Sequence, residues 1–237
     1  MQELLFPLLA GLGGYLIGSI SFAVLISRLF GLSDPRSYGS GNPGATNVLR
    51  SGSKLAAILT LALDLLKGYL PVLLVQIYGE RYQLGEGAAA LIGLGAFLGH
   101  LWPLFFRFKG GKGVATAAGV ILGLNPWLGA ATLLAWLVVV YFSRYVSLAS
   151  MVAATFAPVL QVLVWGGGPV VGVLVLMGLL LVWRHEANLR KLLRGTESRL
   201  GQKAQAAPAD SSKKHPHGLG PHAPGHSHHH SKKAVKK

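Results

Sequence analysis

The sequence predicts an all-α fold: a polytopic membrane helix bundle of seven transmembrane helices, with the N-terminus outside and the C-terminus cytoplasmic. Three observations carry this reading. Hydrophobic residues make up 51% of 237 and charged residues only 13%, with a mean hydropathy of +0.49, a balance suited to lipid. Apolar stretches long enough to enter a bilayer alternate with short polar links. The arginines and lysines collect at alternate links, which is the asymmetry that orients membrane proteins.

The first span is expected over residues 4–30, where Gly11, Gly13, Gly14, Gly18, Ser19 and Ser21 let a neighbouring helix approach closely. Arg28, Arg36, Arg50 and Lys54 follow it and place this link in the cytoplasm. The second span covers 55–78 and the third 87–106, returning to Arg107, Lys109 and Lys112. Residues 114–142 are either one long helix or two pieces broken at Asn125-Pro126. Charge favours two pieces, 114–124 and 126–142, because a single helix would put Arg144, Arg184, Arg190, Lys191 and Arg194 outside. The first piece, roughly 17 Å long at 1.5 Å per residue, falls short of a core of about 30 Å, so neighbours must cover its ends. Spans over 148–165 and 169–183, joined by Gly166-Gly167-Gly168, complete the seven.

The membrane domain therefore covers 1–200. Residues 201–237 are rich in Lys, His, Pro, Gly and Ser without apolar periodicity and read as a disordered cytoplasmic tail. Its His226-Ser227-His228-His229-His230 run is a weak metal binder at most, and its lysines suit anionic lipid. Residues 1–7 carry no basic n-region, so no cleavable signal is expected. Cysteine is absent, which excludes disulfides, thiolate nucleophiles and cysteine-ligated zinc. The formal charge of +14 lies in the tail and at the ends of apolar stretches, so it serves membrane orientation and implies no nucleic-acid partner.

Four polar stretches fall on the cytoplasmic side. The first, residues 39–50, reads Gly-Ser-Gly-Asn-Pro-Gly-Ala-Thr-Asn-Val-Leu-Arg. Its glycines free the backbone to bend towards a ligand, while Ser40, Asn42, Thr46 and Asn47 add short polar groups and Arg50 a forked cation. That combination suits an oxyanion, though a solvated connector with ordinary turn chemistry has similar composition. The second, residues 108–116, holds Lys109-Gly110-Gly111-Lys112-Gly113 at the entry of a helix, where unpaired N–H groups favour an anion. It is not a Walker loop, because Phe106 stands where that motif needs its first glycine. In the third, Ser147 and Ser150 precede an apolar run and are equally explicable as helix caps. In the fourth, His185 and Asn188 share a helix face, three residues apart.

Asp64 and Lys67, also three apart, lie inside the second span and can pair, as structure or as part of a pathway. Cytoplasmic acids are few (Asp34, Glu186 and Glu197), so an Asp-rich magnesium site is not expected and anion charge must be met by Lys, Arg and backbone. Neither His100 nor His185 has an aspartate five residues on, so the His-x4-Asp arrangement of common acyltransferases is missing. The residues alone point to a multi-span protein that binds phosphorylated molecules at the inner membrane face. An enzyme, a transporter of a phosphorylated metabolite and a scaffold for lipid-synthesis enzymes all remain compatible with that.

Taken together, the 39–50 loop, the Lys-Gly-Gly-Lys-Gly-Val-Ala-Thr turn, Ser147 to Ser150 and the Arg184-His185 to Asn188 stretch resemble the bacterial acyl-phosphate:glycerol-3-phosphate acyltransferases, the PlsY family. The likeness runs over about residues 5 to 195. It implies a seven-helix enzyme of the bacterial inner membrane, expected as a monomer, that moves a fatty acyl group from acyl phosphate to the 1-hydroxyl of glycerol 3-phosphate. The products are lysophosphatidic acid and phosphate. It implies direct transfer with no covalent acyl-enzyme, no cofactor and no metal. By matching positions, Ser40, His185 and Asn188 are expected near the reacting groups, with Asn42, Thr46, Arg50, Gly110, Gly111, Lys112 and Ser150 binding substrate. Arg50 and Lys112 resemble phosphate clamps, and the departing phosphate is the expected acceptor of the hydroxyl proton.

Overall fold

The computed structural model describes residues 2–201, which form helices joined by short links, with no strand among them. The expected 201–237 tail, with its His226–His230 run, lies outside the described residues beyond Gly201. In chain order the α-helices are α1 (Gln2–Gly18), α2 (Phe22–Leu29), α3 (Ala45–Leu49), α4 (Lys54–Tyr78), α5 (Glu86–Leu101), α6 (Val114–Leu124), α7 (Pro126–Ser143), α8 (Val146–Trp165), α9 (Pro169–Arg184) and α10 (Glu186–Leu193).

Five stretches among the described residues are long and apolar enough to cross a membrane: Leu5–Leu29, Lys54–Tyr82, Glu86–Phe106, Pro126–Ser143 and Val146–Trp165. A sixth arises if α9 and α10 count as one span bent by 58°. The first expected span is not one helix: it breaks at Ser19 to Ser21, where the Ser19 hydroxyl donates to the Tyr15 carbonyl at 2.8 Å. The division at Asn125 is present. Asn125 Oδ1 accepts the N–H groups of Trp127 (3.0 Å) and Leu128 (3.2 Å), and Pro126 opens α7 where its missing N–H costs nothing. The 11-residue α6 is too short to cross alone and packs on α4, α5 and α7.

Helix α1 lies along α5 with backbones in direct apposition. A methyl group built at Gly14, Gly18, Gly95 or Gly99 would overlap the partner helix's main chain. Around α4, α5 and α6 the interior is filled by Val72, Phe97, Leu101 and Val120, and between α7, α8 and α9 by Leu128, Ala157, Val170 and Leu174. Large apolar residues face outward instead, among them Leu134, Leu163, Leu179 and Phe142 at 62–79% exposure, the pattern of helices whose solvent is lipid. At one end of the bundle α2, α5, α7 and α9 finish and α4, α6 and α8 begin, and there the four polar stretches converge.

Candidate active site

The first loop is shaped by Asn47, which is 2% exposed at the centre of α3. Its amide nitrogen donates to the carbonyls of Pro35 (2.6 Å) and Tyr38 (3.2 Å), and its amide oxygen accepts the N–H of Ser40 (3.1 Å). One side chain thus ties both ends of residues 35–40 to α3. Gly39 needs its absent Cβ twice over: its φ is +58°, and a methyl group there would press on Asn47 Oδ1 and on the Arg50 guanidinium. Arg50 therefore lies back across the loop. The side chains of Ser40, Thr46 and Arg50 are exposed and form no hydrogen bond among the described residues, and Asn42 is half-buried.

The second stretch is held from outside. Arg184, the last residue of α9, donates Nε to the Gly111 carbonyl (3.1 Å) and Nη2 to the carbonyls of Gly110 and Gly111 (both 3.0 Å). The Gly111 N–H donates to the His100 carbonyl at 3.1 Å. A Cβ on Gly111 would strike the His100 ring and come within 3.0 Å of the Pro43 carbonyl, so this glycine is where the two loops touch. A cavity of about 330 Å³ opens beside that contact, lined by Arg36, Gly41, Pro43, Phe108, Lys109 and Arg184. Arg36 is neutralised by Asp34 at 2.6 Å, and its side-chain hydrogen bond holds the Asp34 carboxyl below the usual carboxylate range.

From this turn Lys112 reaches into the fourth stretch. Its ammonium donates to the amide oxygen of Asn188, whose nitrogen donates to Glu197 Oε1 at 2.6 Å. The same carboxylate oxygen accepts the Ser147 hydroxyl at 2.7 Å. An ammonium only donates and a carboxylate only accepts, so the amide orientation of Asn188 is fixed. Burial pushes Lys112 down to about 8; Glu197 opposes that shift, while Arg184, Lys191 and Arg50 add to it. His185, buried at the join of α9 and α10, donates its Nδ1–H to the Leu181 carbonyl at 2.8 Å, leaving Nε2 as the ring's acceptor.

Lys112 and Asn188 of the expected set are thus in direct contact, with Gly110 and Gly111 beside them and Arg50 near enough for Lys112 to feel its charge. Ser150 is directed elsewhere. Its hydroxyl donates to the Val146 carbonyl (2.8 Å) and accepts the Trp136 indole N–H (3.1 Å), bracing α7 against α8. Ser147, one turn earlier, occupies the polar chain instead. Glu197, Arg184 and Asn47 are visible in the sequence as an acid, a basic end and a loop amide, but nothing there assigned them to the site. The scarcity of acids on a basic face was the available signal for Glu197.

The profile of the glycerol-3-phosphate acyltransferase family matches residues 8–195. A glycerol-3-phosphate acyltransferase of Paraburkholderia phytofirmans is 59% identical over 206 residues, covering 87% of this chain and 94% of that protein. One of Albidiferax ferrireducens is 60% identical over 207 residues, covering 84% and 92%. Among solved structures, the integral membrane glycerol 3-phosphate acyltransferase PlsY in its glycerol 3-phosphate form superposes with a TM-score of 0.76 at 39% identity, covering 82% of this chain and 96% of that one. Its lysophosphatidic acid form gives 0.75 at 38% identity. With a family profile over residues 8–195, relatives 59% and 60% identical over most of their length and a solved structure of the same helical frame, the chain belongs to the PlsY family of glycerol-3-phosphate acyltransferases.

Proposed function

We propose that this protein transfers a fatty acyl group directly from acyl phosphate to the 1-hydroxyl of glycerol 3-phosphate, giving lysophosphatidic acid and inorganic phosphate. The observation that carries the reading is the Lys112–Asn188–Glu197 chain set beside the Gly110-Gly111 turn and the Arg50 loop. It sets Lys112, held by Asn188, beside the exposed Arg50 and a glycine turn, two cations where two substrate phosphates could be met. The PlsY crystal structures support the same end of the reaction, having been obtained in glycerol 3-phosphate and lysophosphatidic acid forms.

Acyl phosphate is a mixed anhydride and is already activated, so alignment and charge stabilisation suffice. The hydroxyl oxygen attacks the carbonyl carbon, the bond from that carbon to the phosphate oxygen breaks, and the departing phosphate takes the hydroxyl proton. A thioester intermediate is ruled out by the absence of cysteine from the whole sequence. In this reading Arg50 and Lys112 clamp phosphate with Gly110, Asn42 and Thr46 completing the cradle, while Gly111, whose N–H is held by the His100 carbonyl, shapes the turn. Ser40, His185 and Asn188 stand at the reacting groups, and Ser150 keeps the α7–α8 wall of the substrate site in place. The concentration of Arg28, Arg36, Arg50, Lys109, Lys112, Arg144 and Arg184 at one end supports a site on the cytoplasmic face of the bacterial inner membrane.

The test uses protein purified in lipid, given glycerol 3-phosphate with palmitoyl phosphate or palmitoyl-CoA as donor, with and without EDTA. Release of one phosphate per lysophosphatidic acid from palmitoyl phosphate alone, unaffected by EDTA, is the expected result. Turnover with palmitoyl-CoA, or phosphate release without lysophosphatidic acid, would overturn the donor assignment.

A further inference from the structure

Beneath the two loops lies a second polar cluster, buried in the span region and unused by the proposed chemistry. Asp64 and Lys67 of α4 pair at 2.8 Å, and His100 of α5 places Nδ1 at 3.6 Å from the same carboxylate oxygen. Thr116, in the first turn of α6, donates its hydroxyl to the Asp64 carbonyl (2.9 Å) and lies 3.3 Å from His100 Nδ1. All four residues are at most 8% exposed. Ionised groups at such depth are costly, so their retention calls for a task.

The cluster has two outward connections. Lys67 Nζ donates to the Ile20 carbonyl at 2.8 Å, at the break between α1 and α2, where helical hydrogen bonding is interrupted. It also lies 5.7 Å from the centre of the Phe22 ring, the first residue of α2. That anchors the helix feeding the first loop. At the other end His100 meets the glycine turn twice, through its carbonyl to the Gly111 N–H and through its ring, which fills the space beside the Gly111 Cα.

We propose that the Asp64–Lys67–His100–Thr116 cluster is a positioning device for the acyl-transfer site, with His100 as the residue that sets the Gly110–Gly113 turn against the 39–50 loop. This rests on the assignment of that turn to substrate phosphate. None of the four touches substrate. They act by fixing where the turn's backbone N–H groups and Lys112 stand. The same contacts explain why the pair is buried between α2, α4, α5 and α6 instead of facing the site.

The test is the KM for glycerol 3-phosphate and the kcat of His100→Ala, His100→Gln and Thr116→Val, with glycerol 3-phosphate binding measured by calorimetry on the same lipid-reconstituted samples and on Lys112→Ala. His100→Ala is expected to raise KM and weaken binding about tenfold or more, with a smaller change in kcat. His100→Gln, which refills the space beside Gly111, is expected to recover most of that loss. Thr116→Val, nearly isosteric, is expected to raise KM several-fold and reads the cluster even where His100→Ala does not fold. Normal KM and binding in folded His100→Ala, or in Thr116→Val, would overturn the proposal. If Lys112→Ala alone loses binding, the positioning role fails while the phosphate assignment stands; if Lys112→Ala also binds normally, both fail.

Discussion

Lys112 and Asn188, 76 residues apart in the chain, meet directly: the ammonium donates to the amide oxygen, and the other side of that amide is held by Glu197. The contact joins the glycine turn between α5 and α6 to the first turn of α10. In the proposed reading it lets a carboxylate orient an amide without itself lying against the phosphate, which keeps the acid that would repel the anion one residue away.

Removing the middle of that chain should be costly. Asn188→Ala leaves a half-buried ammonium and a carboxylate without their shared partner, and a hydrogen bond to a charged group is worth about 1.5–3 kcal/mol. The expected outcome is a fall in kcat/KM of roughly 10-fold to 100-fold. Steady-state kinetics of the purified variant checks it. Asn188→Asp should be worse than Asn188→Ala, since it sets two carboxylates against each other.

The depressed Lys112 predicts an alkaline limb. Below about pH 8 the side chain is ammonium and, on the proposed function, holds phosphate; as pH rises through about 8 it loses its charge. Affinity for glycerol 3-phosphate should therefore weaken above that value. Because the Glu197 charge raises the Lys112 pKa, Glu197→Gln should move the limb to lower pH. The KM for glycerol 3-phosphate measured between pH 6 and 9.5 for both proteins decides the sign.

Asn47 should act on the loop's integrity more than on chemistry. Asn47→Ala removes three hydrogen bonds at a buried position and orphans two carbonyls and one N–H. Each buried group left unpaired costs about 1–3 kcal/mol. The expected result is a melting midpoint lowered by several degrees together with a raised KM, read by thermal unfolding in detergent and by kinetics.

Arg184 grips two successive carbonyls with a planar fork, which a lysine cannot reproduce. Arg184→Lys keeps the charge beside Lys112 but loosens the turn. A KM rise of about 3-fold to 30-fold with a smaller fall in kcat is expected, checked in the same assay.

Much of this architecture was legible in the sequence. Asn125-Pro126 offered a possible break, and the alternating basic links chose it over one long helix. The Asn125 cap that starts α7 became visible only in the structure. Gly110-Gly111-Lys112 and His185 to Asn188 declared themselves by composition at the end of apolar spans. Other features were hidden because they depend on partners distant in sequence. Nothing near Glu197 announces that it lies beside Ser147 and Asn188, and no local pattern separates Ser147, in the polar chain, from Ser150, bonded to Trp136. The interruption of the first span at Ser19 to Ser21 was obscured by apolar residues on both sides; the Ile20 carbonyl freed there is taken up by the Lys67 ammonium.

The most direct test of the central claim is kcat/KM of Lys112→Ala in lipid, with palmitoyl phosphate and glycerol 3-phosphate at pH 7 and folding confirmed by thermal unfolding. Loss of a charged partner from the transition state should cost roughly 2 kcal/mol or more, a fall of about 30-fold or greater. A folded variant retaining kcat/KM within about threefold of wild type would remove Lys112 from the site and contradict the account.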